Sequence, residues 1–315
     1  MVDGEWWIVD SEYLFLQAQL PTPMTTLPPT EPTWLTIFRL LRWDKPAGRL
    51  ILMIPALWGL CLAAKGNPPL PLLGVIILGT LATSAAGCVV NDLWDRNIDP
   101  HVERTKNRPL AAKSLSIATG VGVLIVSLIC AAILAFYLNP LTFWLCVAAV
   151  PVILLYPGAK RVFPVPQLVL SIAWGFAVLI SWSMVTASIA TPTWYLWGAT
   201  IFWTLGFDTV YAMSDREDDR RIGVKSSALF FGKYVAEATA ICYAITIGLL
   251  GDVGNIMRLG SIFWLTLGMS AGFWLWQYLR LKKPTIPASF YPQMFRENVW
   301  IGFGLLLGMM LGIRQ

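Results

Sequence analysis

Nine of the 18 acidic residues fall in two short segments. The first is Asn91-Asp92-Leu93-Trp94-Asp95-Arg96-Asn97-Ile98-Asp99 with Glu103 just beyond, and the second is Asp208 followed by Asp215-Arg216-Glu217-Asp218-Asp219. On a helix turning about 100° per residue, Asp92, Asp95 and Asp99 lie within roughly 60° of one another, and Asp208, Asp215 and Asp219 within roughly 40°. Glu217 points away from its column. Columns of like charge repel, and carboxylates at the C-terminal end of a helix oppose its dipole. Near lipid they persist where they line a cavity or bind something. Several carboxylates with an Asn suit Mg²⁺, a hard ion that commonly shares its shell with phosphate oxygens. Arg104, Lys106, Arg108, Lys160, Arg161 and Lys225 flank the acids and are able to meet phosphate charge. Acids alone would suit a cation pathway; acids ringed by cations suit a metal-bridged polyphosphate.

The elements that carry these residues must be membrane helices. Of 315 residues, 57% are apolar and 13% charged, about half the charge of an ordinary soluble domain. A water-soluble globule is excluded. Apolar runs near 47–64, 70–90, 116–137, 140–155, 167–187, 193–211, 236–250, 261–279 and 298–313 give nine spans. Lipid offers no partner to a free peptide group and no barrel-like alternation occurs, so the expected fold is an all-α, nine-helix integral membrane bundle. This alternation of spans puts 20 of the 23 Lys and Arg on one side, leaving Lys65, Arg258 and Arg314 on the other. Positive loops stay inside, which predicts both acidic segments at the cytoplasmic face and the C-terminus opposite. The net charge of +5 then reports topology, not a nucleic-acid partner. Residues 1–34 hold five acids and a proline cluster, with no Lys or Arg. They lack the basic start of a secretory leader and are expected to form a mobile tail before a single domain over 35–315. Cys61, Cys88, Cys130, Cys146 and Cys242 lack metal-ligand spacing and read as small buried hydrophobes.

At the acidic segments the sequence resembles the UbiA superfamily of intramembrane prenyltransferases. Gly87-Cys88-Val89-Val90-Asn91-Asp92 through Asp99 is similar to its NDxxDxxxD motif, and Arg104-Thr105-Lys106-Asn107-Arg108-Pro109 to the basic stretch that follows. Asp208-Thr209-Val210-Tyr211-Ala212-Met213 with Asp215 to Asp219 resembles the second motif, continued by Lys225-Ser226 and Phe231-Gly232. Asp44-Lys45-Pro46-Ala47-Gly48, Tyr156-Pro157 with Lys160-Arg161, and Asn298 with Gly302 resemble the branch that prenylates 4-hydroxybenzoate. The likeness runs from about residue 35 to the end.

The resemblance implies nine helices around a central cavity that opens sideways to lipid. It also implies Mg²⁺, a polyprenyl diphosphate donor and 4-hydroxybenzoate as acceptor, in quinone biosynthesis. Asn91 and Asp95 would hold one Mg²⁺, and Asp215 and Asp219 a second. Asp92 and Asp99 would support the first site, Asp218 the second, while Arg104, Arg108, Lys160 and Lys225 are substrate contacts. Ionisation of the allylic C–O bond, attack ortho to the phenol and loss of a proton would complete the transfer. Arg42 and Arg49 are candidates for the benzoate carboxylate, and Asp208 for orienting the phenol or acting as base. Trp94 or Trp174 would shield the cation. Glu217, Asp252, Glu297 and His101 read as solvated or locally paired. Superfamily enzymes acting on homogentisate, dihydroxynaphthoate, haem or chlorophyllide, and a cation-coupled transporter, are the alternatives. Nothing calls for an obligate protein partner.

Overall fold

The computed structural model describes residues 31–313, so the expected tail lies almost wholly outside the described residues. A short helix, α1 (Thr33–Leu40), precedes nine helices of 17 residues or more among the described residues. In chain order these are α2 (Ala47–Ala63), α3 (Leu70–Asp95), α4 (Ile117–Ala135), α5 (Pro140–Val162), α6 (Pro166–Thr186) and α7 (Thr191–Ala212), then α10 (Val235–Ile256), α11 (Ser261–Leu281) and α12 (Phe290–Gly312). Between α7 and α10 lie two short helices, α8 (Arg216–Ile222) and α9 (Ser227–Phe231).

Helix starts follow local chemistry. Ser116 and Asn139 cap α4 and α5 by accepting from the backbone N–H groups of Thr119 and Thr142. Proline fills the first turn of α3, α5, α6 and α7, where no N–H partner is lost. Gly223, at φ +80°, ends α8 in the left-handed region that favours glycine.

Six helical stretches are long and apolar enough to cross a membrane: Leu70–Asp95, Ile117–Ala135, Pro140–Val162, Pro166–Thr186, Ser227–Ile256 and Phe290–Gly312. α2 is apolar but short. α7 and α11 are diluted by tryptophan, tyrosine and threonine; Trp194, Trp197, Trp203, Tyr195 and Tyr211 all lie on α7. The chain is thus an integral membrane protein with an all-helical fold, and no strand occurs among the described residues.

The outer face is apolar, as lipid requires. On α4 only Gly120, Ser127 and Ala135 are buried, while Val121, Ile125, Val126, Ile129 and Ile133 are exposed. α7 is the inner helix, packed against α6, α10 and α12, and the ring of helices closes where α12 meets α2. Trp58, Trp203, Phe207, Tyr243, Phe263 and Trp274 form the core. Gly302 is needed at that closure: a Cβ there would stand 2.8–2.9 Å from Trp203 and Ile54. Its carbonyl instead accepts from Trp58 Nε1 at 3.0 Å. Five free cysteines are present, of which Cys61 and Cys242 are buried; Cys130 faces outward on α4, contrary to the buried reading. Lipid satisfies an exposed thiol on an apolar helix as well as a protein core does.

Candidate active site

Both acidic segments lie at the same end of the bundle and touch. Arg104, in the loop after α3, grips Asp215 with two guanidinium nitrogens, Nε donating to Oδ1 at 2.8 Å. The same guanidinium lies 5.2 Å from the Tyr211 ring centre and donates to its hydroxyl at 3.3 Å. Glu103 N donates to Asp218 Oδ2 at 3.1 Å, and Arg221 donates both to Asp218 Oδ1 and to the His101 carbonyl. Three contacts therefore clasp one loop to the other.

The columns are not continuous helices, as the spacing argument assumed. α3 ends at Asp95, and Asp99 lies in a separate 3₁₀ turn, Asp99–His101. Arg108 joins them by donating to Asp92 at 3.2 Å and Asp99 at 2.9 Å. α7 likewise ends at Ala212, before a 3₁₀ turn Met213–Asp215 and then α8, which carries Asp218 and Asp219. Repelling carboxylates at a helix end are relieved when the chain turns and cations enter between them.

Those cations come from distant segments. Arg42, before α2, donates to Asp92 at 2.7 Å, and Lys160, near the end of α5, to Asp95 at 2.9 Å. Asp92 and Asp95 are each 2% exposed, so neither charge is left to water. Among the described residues no three acidic, His or Cys side chains converge closely enough to hold an ion as they stand, and Arg or Lys side chains pair with Asp92, Asp95, Asp99, Asp215 and Asp218. The donor set nevertheless fits a hard divalent cation: Asp95 Oδ1 is buried without a partner, and Asn91 Oδ1 lies on the same inner face.

Burial pushes Asp219 up to about 6, with the Ser226 hydroxyl opposing and Asp215 adding to the shift. Burial also raises Asp99 against the counter-effect of Arg108. Burial works against the charge of Arg42 and Arg104, yet facing carboxylates outweigh it and hold both guanidinium groups charged.

One stripe of α3 lines the site. Ser84, Cys88, Asn91 and Asp95 recur within about 60° of arc. Arg49 donates from Nε to Ser84 Oγ at 3.3 Å and from NH2 to the Leu41 carbonyl at 2.7 Å, and forms no ion pair among the described residues. Tyr156 donates to Asn91 Oδ1 at 3.3 Å. Asp208, half-buried on α7, shares the field of Lys160 and Arg104. Ser84 and Tyr156 were missed as site residues, although the i, i+4, i+7, i+11 spacing from Ser84 to Asp95 is legible in the sequence.

Other candidates lie elsewhere. Lys225 secures the end of α5, its Nζ donating to the Val162 carbonyl and its N–H to that of Lys160. Arg42 donates to Asp92, unlike Arg49, which forms no ion pair among the described residues. Trp94 turns outward and donates to the Leu154 carbonyl, carrying Arg161 on its ring, so neither enters the site. Trp174 packs on Phe207. Lys106 pairs with Glu103, and Glu217 with Arg220, at the exposed surface. Glu297 is not loop-solvated: it lies on α12 and accepts from Gln277 at 2.9 Å and Gln293 at 2.8 Å. Its neighbour Asn298 accepts from Trp203 Nε1 at 2.9 Å and Trp274 Nε1 at 3.0 Å, a buried polar hub.

The chain is 69% identical over 285 residues to the 4-hydroxybenzoate solanesyltransferase of Synechocystis sp., covering 90% of this chain and 98% of that protein. It is 40% identical over 277 residues to the 4-hydroxybenzoate octaprenyltransferase of Azoarcus sp., covering 87% and 94%. Two solved structures share the fold. One is an apo UbiA homolog from Aeropyrum pernix, with TM-score 0.68, 23% identity, and coverage of 84% of this chain and 96% of that one. The other is a UbiA homolog from Archaeoglobus fulgidus bound to GPP and Mg²⁺, with TM-score 0.67, 20% identity, and coverage of 86% and 99%. The model of the UbiA prenyltransferase family matches residues 52–299, from the second turn of α2 into α12, and the chain belongs to that family.

Proposed function

We propose that this chain transfers a polyprenyl group from polyprenyl diphosphate to the carbon ortho to the hydroxyl of 4-hydroxybenzoate, with Mg²⁺. The observation that carries the proposal is the clasp of Arg104 on Asp215, which sets both acidic motifs against one another at one end of a membrane bundle. The 69% identity to a 4-hydroxybenzoate solanesyltransferase supports the choice of acceptor.

Asn91 and Asp95 on α3, and Asp215 and Asp219 across from them, are the residues proposed to hold Mg²⁺. When bound, the ions supply the positive charge that stabilises the departing diphosphate. Asp92 and Asp99 back the first pair through Arg108, and Asp218 backs the second through Arg221. Arg104, Arg108 and Lys160 turn from carboxylate to phosphate oxygens as the donor head arrives, and Arg42 is counted with them. Arg49, seven residues' rise of α3 from Asn91 by way of Ser84, is placed to take the acceptor carboxylate about 10 Å deeper. Asp208 is the candidate acceptor for the ring proton. Lys225 acts by fixing the end of α5 that carries Lys160.

The remaining architecture follows. All nine long helices cross the bilayer around a central cavity that dissolves the polyprenyl chain, and the motif-bearing end faces the cytoplasm, as the 20 basic residues on that side argue. The membrane domain is taken to run from about residue 35 to the end, with α1 at its entrance. The test is a mass-spectrometric assay of the purified, reconstituted protein. It offers 4-hydroxybenzoate, homogentisate and dihydroxynaphthoate with diphosphates of several lengths, with and without Mg²⁺. The expected result is Mg²⁺-dependent prenyl-4-hydroxybenzoate; a product from another acceptor alone, or none, overturns the proposal.

A further inference from the structure

The end of α3 also borders a crevice outside the acidic site. Val90, Leu93 and Trp94 of α3, with Arg96 and Asn97 just beyond its end, join Arg161 of α5 around this crevice of about 430 Å³ at the motif-bearing end. Arg96 and Arg161 are exposed, and neither forms an ion pair among the described residues. No carboxylate lines the crevice. Both guanidinium groups are nevertheless fixed in place. Arg161 donates to the Trp94 carbonyl at 2.8 Å and lies 5.3 Å from the centre of that indole. Arg96 donates to the Leu93 carbonyl at 3.2 Å. Each spends one hydrogen bond on the end of α3, leaving most of its five N–H donors to face outward.

The indole between them is itself anchored. Trp94 Nε1 donates to the Leu154 carbonyl at 3.0 Å, and the ring packs against Gly158 of α5. Trp94 remains 38% exposed, the posture of an aromatic at the boundary between hydrocarbon and headgroups. Below it, Val90 and Leu93 give the crevice an apolar floor.

We infer that this crevice binds the phosphate headgroup of an anionic phospholipid. A rigid guanidinium fork matches phosphate oxygens, a basic pocket between helix ends draws acidic lipid, and the apolar floor suits the start of an acyl chain. The bound lipid neutralises two arginines that no carboxylate neutralises among the described residues. It also braces the residue next to Lys160, the partner of Asp95.

The test is native mass spectrometry of the detergent-purified full chain, titrated with short-chain phosphatidylglycerol or phosphatidylcholine. Wild type is expected to retain phosphatidylglycerol selectively. Two arginines at about 1 kcal/mol each near an anionic surface make the loss in the double variant Arg96→Gln/Arg161→Gln roughly 30-fold. The charge-matched control Lys233→Gln/Lys283→Gln, elsewhere on the surface, is expected to keep the selectivity. Asn97→Asp leaves both helix-end contacts intact and puts a carboxylate beside the arginines, so it should lose selectivity even where the double variant fails to fold. Equal retention of both lipids by wild type, or unchanged selectivity in Asn97→Asp, overturns the assignment. Displacement of the lipid by millimolar inorganic phosphate would mark a free-phosphate site and overturn it as well.

Discussion

Replacing Lys160 by Met should destabilise the protein through Asp95 alone. The carboxylate is 2% exposed, its Oδ1 has no partner, and its Oδ2 accepts from Lys160 Nζ at 2.9 Å. Removing one member of a buried pair costs about 3–5 kcal/mol, because the survivor keeps its charge without compensation. Lys160 is 36% exposed, so water already screens part of that interaction, and about 2–3 kcal/mol is the fitting expectation. For a chain this long, at about 2 °C per kcal/mol, the apparent melting point in detergent should fall by roughly 4–6 °C. Asp95→Asn/Lys160→Met removes the orphaned charge along with its partner and should recover most of the loss. Mg²⁺ with inorganic diphosphate should recover part of it in the single variant, since an ion on Asp95 replaces the missing ammonium. Thermal unfolding at one fixed scan rate, followed by intrinsic fluorescence, measures wild type, Lys160→Met, Asp95→Asn and the double variant. A Lys160→Met melting point within 1 °C of wild type, or strictly additive losses in the double variant, refutes the reasoning.

Asn91→Ala, Asp95→Ala and Asp215→Ala should each cut product formation at least 100-fold while the protein still inserts, as quantified in proteoliposomes with Mg²⁺ present. Arg49→Ala should raise the KM for 4-hydroxybenzoate about 10- to 100-fold with kcat largely held, the value of a charged hydrogen bond; an unchanged KM removes Arg49 from acceptor binding. Asn298→Leu strands the indole N–H groups of Trp203 and Trp274 in the core, and should cost about 2–4 kcal/mol in thermal unfolding without touching the motifs.

What the sequence made legible was periodic or additive. The long helices are apolar runs, which composition reveals without fine geometry. The observed helices begin and end within a few residues of most expected spans, although α5 and α10 run on to Val162 and Ile256 and α12 begins at Phe290. Those extensions carry Lys160, Arg161 and Glu297, polar residues that a search for apolar runs cuts off. The acidic columns were read as straight helices because periodicity has no term for where a helix stops. Pro100, just after Asp99, bars helix continuation, and the chain turns there instead. Trp94 was misplaced for a similar reason: its neighbours in sequence face inward, but its own position on α3 faces α5 and lipid.

Harder to read was which cation answers which acid, because that depends on tertiary approach. Asp92 takes its cations from before α2 and after α3, Asp95 from the end of α5, and Asp215 from a loop 111 residues away. Taken alone, each motif looks like an open metal site; in the fold, Asp92, Asp95, Asp99 and Asp215 are closed by groups proposed to receive phosphate. A divalent ion arriving alone would leave Arg104, Arg108 and Lys160 without partners, and a diphosphate alone would strand buried carboxylates. Either intermediate places unpaired charge beside Asp92 and Asp95, which barely meet water. Bound together, the two supply both signs at once. Under the proposed function, the same exchange that opens the ion pairs thus favours metal and diphosphate as a joint ligand over either one singly.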